Sequence, residues 1–332
     1  MATRKGLSLV DLDEQGVDRA FRADVLAGLR QSHKAVPARW LYDDAGSQLF
    51  EDITDLEEYY PTRAETEILG ERGEDFARLI GPGRAVVEFG SGSSVKTPRL
   101  LRAIEPAAYV PLDISGDFLR QAAADLALKF PGLPIHPVEA DFMRETALPA
   151  AVLGMKKLGF FPGSTIGNMV PRTAVDLLRS MRKTLRADDG EVPLLLIGMD
   201  LVKDRKTLIA AYDDARGVTG EFNLNLARRI NRELGGTIPV EALRHVACWN
   251  DALARIEMHL KATRAIAFEV SGERFHMRQG ETIHTENSHK FTRRSGNTLL
   301  LAGGWTPIRR WLDSHRRFAL ILARATEHRD AP

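Results

Sequence analysis

Short apolar runs alternate with amphipathic stretches through the middle of the chain, and this alternation most restricts how the chain can fold. The runs occupy residues 85–89, 109–113, 135–139, 157–161 and 192–199, and helical apolar spacing lies between them at 118–130 and 174–185. Strands that alternate with helices form βαβ units, in which crossover helices cover a parallel sheet. The sequence therefore predicts a doubly wound α/β domain.

The segments on either side of this region follow other patterns. Residues 21–80 carry apolar residues at helical spacing and are predicted to be largely helical. After Asp200 the alternation stops, and residues 203–244 are predicted to be helices. Residues 253–270 alternate apolar and polar side chains, which predicts a strand paired with another near Phe275.

Strand patterns return at the end of the chain, in residues 307–312 and 318–323 around the turn Asp313-Ser314. The doubly wound sheet is therefore expected to resume after an insertion. We expect the domains to divide as residues 63–200 with 289–330, and residues 1–62 with 201–288.

A glycine-rich turn follows the first predicted strand. Glu88 lies at the end of that strand, and Gly90 and Gly92 come directly after it. Asp113 ends the second strand, 23 residues after Gly90, where an acid can reach the hydroxyls of a bound ribose. The Asp141-Phe142 pair follows the third strand. This context favours a nucleotide site over two glycines that merely form a turn.

Two nucleotide cofactors compete for this turn. A nicotinamide site requires Gly-x-Gly-x-x-Gly, whereas the last position here is Val95. An S-adenosylmethionine site carries an acid before the first glycine, and Glu88 can orient the amino acid end of that cofactor. Asp141 and Phe142 can contact the edge and face of adenine. The usual third glycine of such sites is Ser94 here, so the match is imperfect.

Seven blocks of sequence resemble one family closely, the histidine-specific S-adenosylmethionine methyltransferases, which make the trimethylated betaine of histidine in ergothioneine biosynthesis. The blocks are LYDDAGS (41–47), EYYPTR (58–63), FGSGSSVKT (89–97), GSTIGN (163–168), AYDD (211–214), RIEM (255–258) and TENSHKF (285–291). The resemblance implies a Rossmann-like class I methyltransferase domain, and a substrate-binding domain formed by the N-terminal helices and the insertion.

The resemblance also implies site residues, beside the Glu88 and Gly92 already discussed. Those for the cofactor are Gly90, Lys96, Asp113, Asp141 and Phe142. Those for histidine are Tyr42, Phe50, Tyr59, Gly163, Asn168, Tyr212, Met258, Glu286 and Ser288. Tyr42, Tyr59 and Asn168 are the candidates to accept hydrogen bonds from the substrate amine and pass its proton outward. Without the family, a half-buried tyrosine or a turn asparagine is the ordinary interpretation of these three.

A physical argument supports three of the histidine contacts. An imidazole has two ring nitrogens, so a carboxylate that accepts from one N–H and a hydroxyl that faces the other would bind it in one orientation. Glu286 and Ser288 are two residues apart and share a face of an extended segment. Met258 can pack against the flat ring. An indole has a single donor, so Glu286 favours histidine, although a charged solvated face is the ordinary interpretation of this segment.

Composition excludes several classes of protein. The 332 residues include 46 Lys and Arg against 45 Asp and Glu, so no overall charge favours nucleic acid or an anionic membrane. Cys248 is the single cysteine, which excludes an internal disulfide and a Cys-rich metal site. No apolar run reaches the ~18 residues of a membrane span, and the N-terminus lacks a secretion signal. We expect a cytoplasmic monomer.

We expect no metal site, since the spacing of His284 and His289 does not place both on one face of a helix or strand. The predicted reaction is transfer of three methyl groups from S-adenosylmethionine to the α-amine of L-histidine, which gives trimethylhistidine (hercynine) and S-adenosylhomocysteine. Two alternatives remain: a methyltransferase of the same family acting on another amino acid, such as an indole, and a catalytically silent cofactor-binding module.

Overall fold

The computed structural model describes residues 12–13, 16–92, 96–114, 116–186 and 191–326. They divide into two compact units. The first unit contains the described residues up to Tyr60 together with Lys203–His289, and the second contains Pro61–Val202 together with the described residues from Lys290 onward. The chain thus changes unit after residues 60, 202 and 289, beside the changes expected after 62, 200 and 288.

The helices and strands follow in chain order. The first half contains α1 (Arg19–Leu29), α2 (Asp44–Thr54), α3 (Tyr60–Glu71), α4 (Gly73–Ile80), β1 (Ala85–Phe89), α5 (Thr97–Ile104), β2 (Ala108–Asp113), α6 (Gly116–Lys129), β3 (Val138–Glu139), β4 (Lys157–Phe161) and α7 (Pro171–Thr184). The second half contains β5 (Leu194–Asp200), α8 (Arg205–Ala210), α9 (Val218–Leu234), β6 (Leu243–Asn250), β7 (Arg255–Ala262), β8 (Ile266–Val270), β9 (Glu273–Met277), β10 (Thr282–His289), α10 (Arg293–Ala302), β11 (Trp305–Leu312) and β12 (Phe318–Ala325).

The second unit is built on a seven-stranded sheet of order β11-β12-β5-β4-β1-β2-β3. The strands from β5 to β3 are parallel, and β12 runs antiparallel to both β5 and β11. Helices cover both faces of such a sheet, and accordingly β1, β4 and β5 are buried at every position. This confirms the predicted doubly wound, Rossmann-like sheet and its return in the last two strands.

The third predicted strand is shorter than expected. Residues 135–139 were predicted as a strand, but the paired segment is Val138–Glu139, preceded by a single bridge from Ile135 to Tyr109. Pro111 of β2 has no N–H to donate, and it lies between Tyr109 and Asp113, whose carbonyls accept from His136 and Ala140, so the ladder is interrupted there.

The first unit combines helices with two small antiparallel sheets, a three-stranded one of order β10-β7-β6 and the hairpin β8-β9. The helical prediction for residues 203–244 is confirmed by α8 and α9. The prediction of one strand across 253–270 was wrong. The chain bends at Thr263 and Arg264, so that β8 pairs with β9 through Phe268 and Phe275, whereas β7 pairs with β6 and β10.

Helix α2 begins at a cap that also joins it to α9. The Asp43 carboxylate accepts from the Gly46 N–H at 2.8 Å and from the Asn225 amide at 2.7 Å, and it pairs with Arg232. A Cβ at Gly46 would lie 1.8 Å from the Leu41 carbonyl oxygen, so this turn requires glycine. The cap fixes the chain on either side of Tyr42. Among the described residues, no helix has both the length and the apolar character needed to cross a bilayer.

Candidate active site

The glycine turn of the second unit is bonded to the end of the neighbouring strand. Gly90 and Gly92 have φ angles of +71° and +48°, a region that favours glycine. The Gly90 N–H donates to the Leu112 carbonyl at 2.9 Å, and the Gly92 N–H donates to Oδ2 of Asp113 at 3.1 Å. The turn and the predicted ribose acid are therefore in direct contact. Ser93, Ser94 and Val95 of the same motif lie outside the described residues.

Phe142 lies against this turn. A Cβ at Gly90 would come within 3.2 Å of its ring, which meets Phe161 edge to face at 5.9 Å. The preceding Asp141 accepts from the Met143 N–H at 3.0 Å and so shapes the bend after β3. The structure thus brings together Gly90, Gly92, Asp113 and Phe142 at the carboxyl ends of three parallel strands, where open α/β sheets bind ligands.

Glu88 lies beneath the turn and is 1% exposed. Its carboxylate accepts from Oγ1 of Thr97 at 2.8 Å and from the Tyr109 hydroxyl at 2.5 Å. Burial raises the pKa of Glu88 to about 7, although these hydroxyls and Lys96 favour the charged form. Glu88 therefore ties β1 to β2 and to the first turn of α5, while its predicted contact with a cofactor stays a prediction.

Lys96 bonds to a residue that sequence analysis missed. Its ammonium lies 2.5 Å from Oε2 of Glu65, which is fully buried on α3. The same carboxylate accepts from the Gly163 N–H at 2.9 Å. One signal was available, since Glu65 precedes the buried Ile68 and Leu69 by three and four residues and is an acid on an apolar helical face.

The segment after β4 carries the other predicted residues of this unit. Gly163 and Ser164 both have positive φ angles, +76° and +57°. The Ser164 hydroxyl accepts from the Asp200 N–H at 2.9 Å, which holds the bend against the end of β5. A short 3-10 helix, Thr165–Asn168, follows and leaves Asn168 partly exposed at its end.

The remaining predicted residues lie in the first unit and form an aromatic cluster. The Tyr42 ring lies 5.5 Å from Phe50, Phe50 lies 6.2 Å from Tyr59, and Tyr59 lies 6.1 Å from Tyr212, all edge to face. Phe222 of α9 joins this cluster at 5.4 Å from Tyr42 and was missed by sequence analysis. Its position in the apolar stripe of α9 gave no sign that it differs from a core residue.

Glu286 and Ser288 lie on β10 beside this cluster and are 7% and 4% exposed. Tyr42 hydrogen-bonds to the Glu286 carboxylate, and the Tyr212 hydroxyl lies 2.7 Å from Oγ of Ser288. Met258 is paired directly with Glu286 across β7 and β10. The structure therefore joins Tyr42, Phe50, Tyr59, Tyr212, Met258, Glu286 and Ser288 in one unit, while Gly163 and Asn168 belong to the other.

Burial and the neighbouring Glu286 raise the pKa of Tyr42 well above its ordinary value. Tyr42 is therefore a neutral phenol at physiological pH. A hydroxyl that donates to a carboxylate in this way holds the carboxylate in place.

The position of Tyr212 is fixed by a further contact. Nε2 of His245 lies 2.7 Å from the Tyr212 carbonyl oxygen, and Nδ1 lies 2.9 Å from the Asn223 amide nitrogen. Burial lowers the pKa of His245, so the neutral ring donates through Nε2 and accepts through Nδ1. This network connects α9 and β6 to the tyrosine that contacts Ser288.

Another group of polar side chains lies on β6 and β7. Cys248, Glu257 and His259 place possible metal-ligand atoms within 4.8 Å of one another. The Glu257 carboxylate there already accepts from Arg255 at 2.8 Å and from Asn250 at 2.9 Å. These cationic and amide donors already occupy the carboxylate, and no metal role is assigned to the group.

Each unit presents a distinct set of chemical groups. The second offers a glycine turn, two acids and an aromatic ring at the strand ends, a set that fits an adenosine-containing cofactor. The first offers a buried carboxylate and a hydroxyl among aromatic rings, a set that fits a flat heteroaromatic ring with two hydrogen-bonding nitrogens.

The known proteins that this chain resembles have functions that agree with these two sets of chemical groups. A family model described as histidine-specific methyltransferase, SAM-dependent, matches residues 21–325. A histidine N-alpha-methyltransferase of Mycobacterium tuberculosis is 40% identical over 94% of this chain and 97% of its own. One from Mycolicibacterium smegmatis is 39% identical over 92% and 94%. Ergothioneine biosynthesis protein 1 of Neurospora crassa is 27% identical over 96% of this chain and 36% of its own.

Proposed function

Because the chain belongs to the histidine-specific, S-adenosylmethionine-dependent methyltransferase family and is an S-adenosylmethionine-dependent N-methyltransferase, we propose that it methylates the α-amine of L-histidine three times. The product would be hercynine, the trimethylated betaine, as a step of ergothioneine biosynthesis. The names of two relatives support histidine, and the name of a third supports this pathway. We assign cofactor binding to the second unit, and recognition of the imidazole to the first.

The pairing of Glu286 and Ser288 on one face of β10 carries this proposal. The Glu286 carboxylate accepts the proton of one imidazole nitrogen, and the Ser288 hydroxyl donates to the other nitrogen. Ser288 can donate in this way because it can accept from Tyr212, whose hydroxyl lies 2.7 Å away. A ring held at both nitrogens has one orientation, which fixes where the α-amine points.

The residues of the second unit fit S-adenosylmethionine. Asp113 would accept from the ribose hydroxyls, the Gly90–Gly92 turn lets the backbone approach the ligand closely, and Phe142 would stack on adenine. Lys96 would pair with the cofactor carboxylate. The bound cofactor supplies a methyl group on a sulfonium, which is electrophilic without a metal.

The protein must also manage the proton of the substrate amine. A free amino acid amine is mostly protonated at neutral pH, and each attack requires a lone pair. Tyr42, Tyr59 and Asn168 are the candidates to accept from the ammonium group and to relay its proton through water, because each has an oxygen that can accept a hydrogen bond.

Repeated methylation requires a site that tolerates a growing amine. Two methyl groups remove hydrogen-bond donors and add apolar surface, so polar contacts to the amine weaken while the anchored ring is unaffected. Among the predicted pocket residues, Phe50 is apolar and Gly163 has no side chain, so neither side chain would lose a hydrogen bond to an added methyl group. The enzyme can therefore retain the same imidazole contacts through all three transfers.

The proposal is tested by incubating the purified protein with S-adenosylmethionine and either histidine or tryptophan, and following the mass of the amino acid. The expected result is a gain of one, two and finally three methyl groups on histidine. The Asn168→Ala variant, which keeps the imidazole contacts, is expected to bind histidine but turn it over slowly. Preference for tryptophan would contradict the role of Glu286, and a product that stays monomethylated would contradict trimethylation.

A further inference from the structure

Glu65 is a buried acid that joins two loops of the second unit. Its side chain is fully buried, its Oε2 lies 2.5 Å from the Lys96 ammonium, and it accepts from the Gly163 N–H at 2.9 Å. Lys96 immediately precedes α5, and Gly163 follows β4. One carboxylate therefore holds the lysine next to the glycine turn and the backbone of the segment after β4.

Gly198 of β5 leaves space for this carboxylate. A Cβ at Gly198, in the middle of β5, would lie 2.4 Å from Oε1 of Glu65. Contacts this short do not occur, so β5 carries glycine where the acid passes over it. A Cβ at Gly163 would lie 3.8 Å from Nζ of Lys96, which shows how closely the ammonium approaches that loop.

The charges around Lys96 explain why an anion is needed there. The lysine side chain is 19% exposed and Glu65 is fully buried, so their attraction is poorly screened. Glu88 also interacts with Lys96, but its carboxylate accepts from Thr97 and Tyr109. Glu65 is the acid that holds the ammonium, since it lies within hydrogen-bond distance of it.

We propose that Glu65 is a positioning residue for cofactor binding, which acts by holding the Lys96 ammonium in a fixed place. An ammonium has three N–H donors, so Lys96 can keep its bond to Glu65 and donate to a cofactor carboxylate at the same time. Without the Glu65 charge the lysine side chain moves toward solvent. The inference rests on the proposed cofactor role of Lys96.

The experiment measures S-adenosylhomocysteine binding by titration calorimetry to the wild type, Glu65→Gln, Lys96→Met and the double variant. Glutamine keeps the volume and the acceptor for the Gly163 N–H and removes only the charge. We expect Glu65→Gln to weaken binding about tenfold, the low end for a hydrogen bond to a charged group. The double variant should bind S-adenosylhomocysteine less than about twofold more weakly than Lys96→Met alone, because Glu65 acts through Lys96.

Two controls separate positioning from folding. Glu71→Gln makes the same chemical change at an exposed position of α3 and should leave binding unchanged. Lys96→Arg retains the charge and should bind more tightly than Lys96→Met. Thermal unfolding of each variant shows whether the fold is intact, and an intact Glu65→Gln protein with unchanged affinity would overturn the inference. If the effects of Glu65→Gln and Lys96→Met on binding multiply in the double variant, the inference is also overturned.

The measurement does not depend on the amino acid substrate. If histidine is methylated and Glu65→Gln binds the cofactor product normally, the inference fails and the proposed function stands. If histidine is not methylated but binding is weakened through Lys96, the proposed function fails and the inference stands.

Discussion

The hydroxyl of Tyr212 lies 2.7 Å from Oγ of Ser288, although the two residues are 76 positions apart in the chain. The contact joins the segment after α8 to β10, and His245 supports it by its bond to the Tyr212 carbonyl. A serine hydroxyl rotates about its Cβ–Oγ bond, so a partner on one side decides where its proton points. When Tyr212 is the donor of this bond, Ser288 keeps its own proton for a ligand.

Replacing Tyr212 by Phe should therefore weaken histidine binding without any loss of packing. The ring and its contact with Tyr59 remain, but Ser288 loses its bond to the Tyr212 hydroxyl. We expect the KM for histidine to rise about fivefold to tenfold, the effect of one hydrogen bond, with the KM for S-adenosylmethionine unchanged. Steady-state kinetics with each substrate varied in turn measures both. Ser288→Ala should produce a similar increase, and the two effects should not multiply in the double variant.

Replacing Glu286 removes the charged partner of the imidazole. Glu286→Ala should raise the KM for histidine more than that for the cofactor, by about tenfold to a hundredfold, since hydrogen bonds to charged groups are the stronger ones. Glu286→Gln keeps the shape and should lie between the alanine variant and the wild type. Glu257→Gln, on the neighbouring strand β7, is the matched control. An unchanged KM for histidine in Glu286→Ala would contradict the anchoring role.

The parts of the fold that were predicted correctly are those fixed by local pattern. The runs at Ala85–Phe89 and Lys157–Phe161 are continuous and apolar because both faces of a parallel strand are covered, and each is a strand with those bounds. The predicted helical region ended at residue 244, whereas β6 begins at Leu243, and no strand was predicted for the rest of β6. Its residues are only partly buried and their alternation is weak, so their pairing depends on β7 rather than on their own pattern.

The candidate site likewise contains residues that could be predicted from the sequence and one that depends on a tertiary contact. The resemblance named Tyr42, Tyr212 and Glu286, and the structure brings all three together. It did not name Glu65. Helical spacing places this acid on an apolar face, but its partner Lys96 lies 31 positions away in sequence, and no local pattern indicates that contact. Tertiary contacts of this kind carry no local periodicity.

Gly46 allows a stability prediction at the turn that fixes Tyr42. A Cβ there would lie 1.8 Å from the Leu41 carbonyl oxygen, so Gly46→Ala must open the turn or displace the cap of α2. We expect a loss of about 2 kcal/mol or more in the free energy of unfolding, and a raised KM for histidine. Gly154→Ala is the matched control, because a Cβ at Gly154 meets nothing within 4 Å. Thermal unfolding compares the two, and equal midpoints would contradict this account.

Glu88 makes the stability of the second unit depend on pH. Burial raises the pKa of Glu88 from 4.5 to about 7, so the folded chain binds this proton more tightly than the unfolded chain. The contribution of Glu88 to the free energy of unfolding is therefore fully present below about pH 4.5. It is lost as the pH rises from about 4.5 through about 7. At about 1.4 kcal/mol per pKa unit, the loss is about 3.5 kcal/mol at most.

The Glu88→Gln variant should lack this dependence, because glutamine does not titrate and keeps an acceptor for Thr97 or Tyr109. Denaturant unfolding of the wild type and the variant between pH 4.5 and 8 measures it. The wild type should lose stability relative to the variant as the pH rises, with the change complete near pH 8. Buried histidines such as His245, whose lowered pKa gives the opposite slope, are present in both proteins and cancel in the difference. Two parallel curves would show that Glu88 has an ordinary pKa and that its bonds to Thr97 and Tyr109 offset the cost of burial.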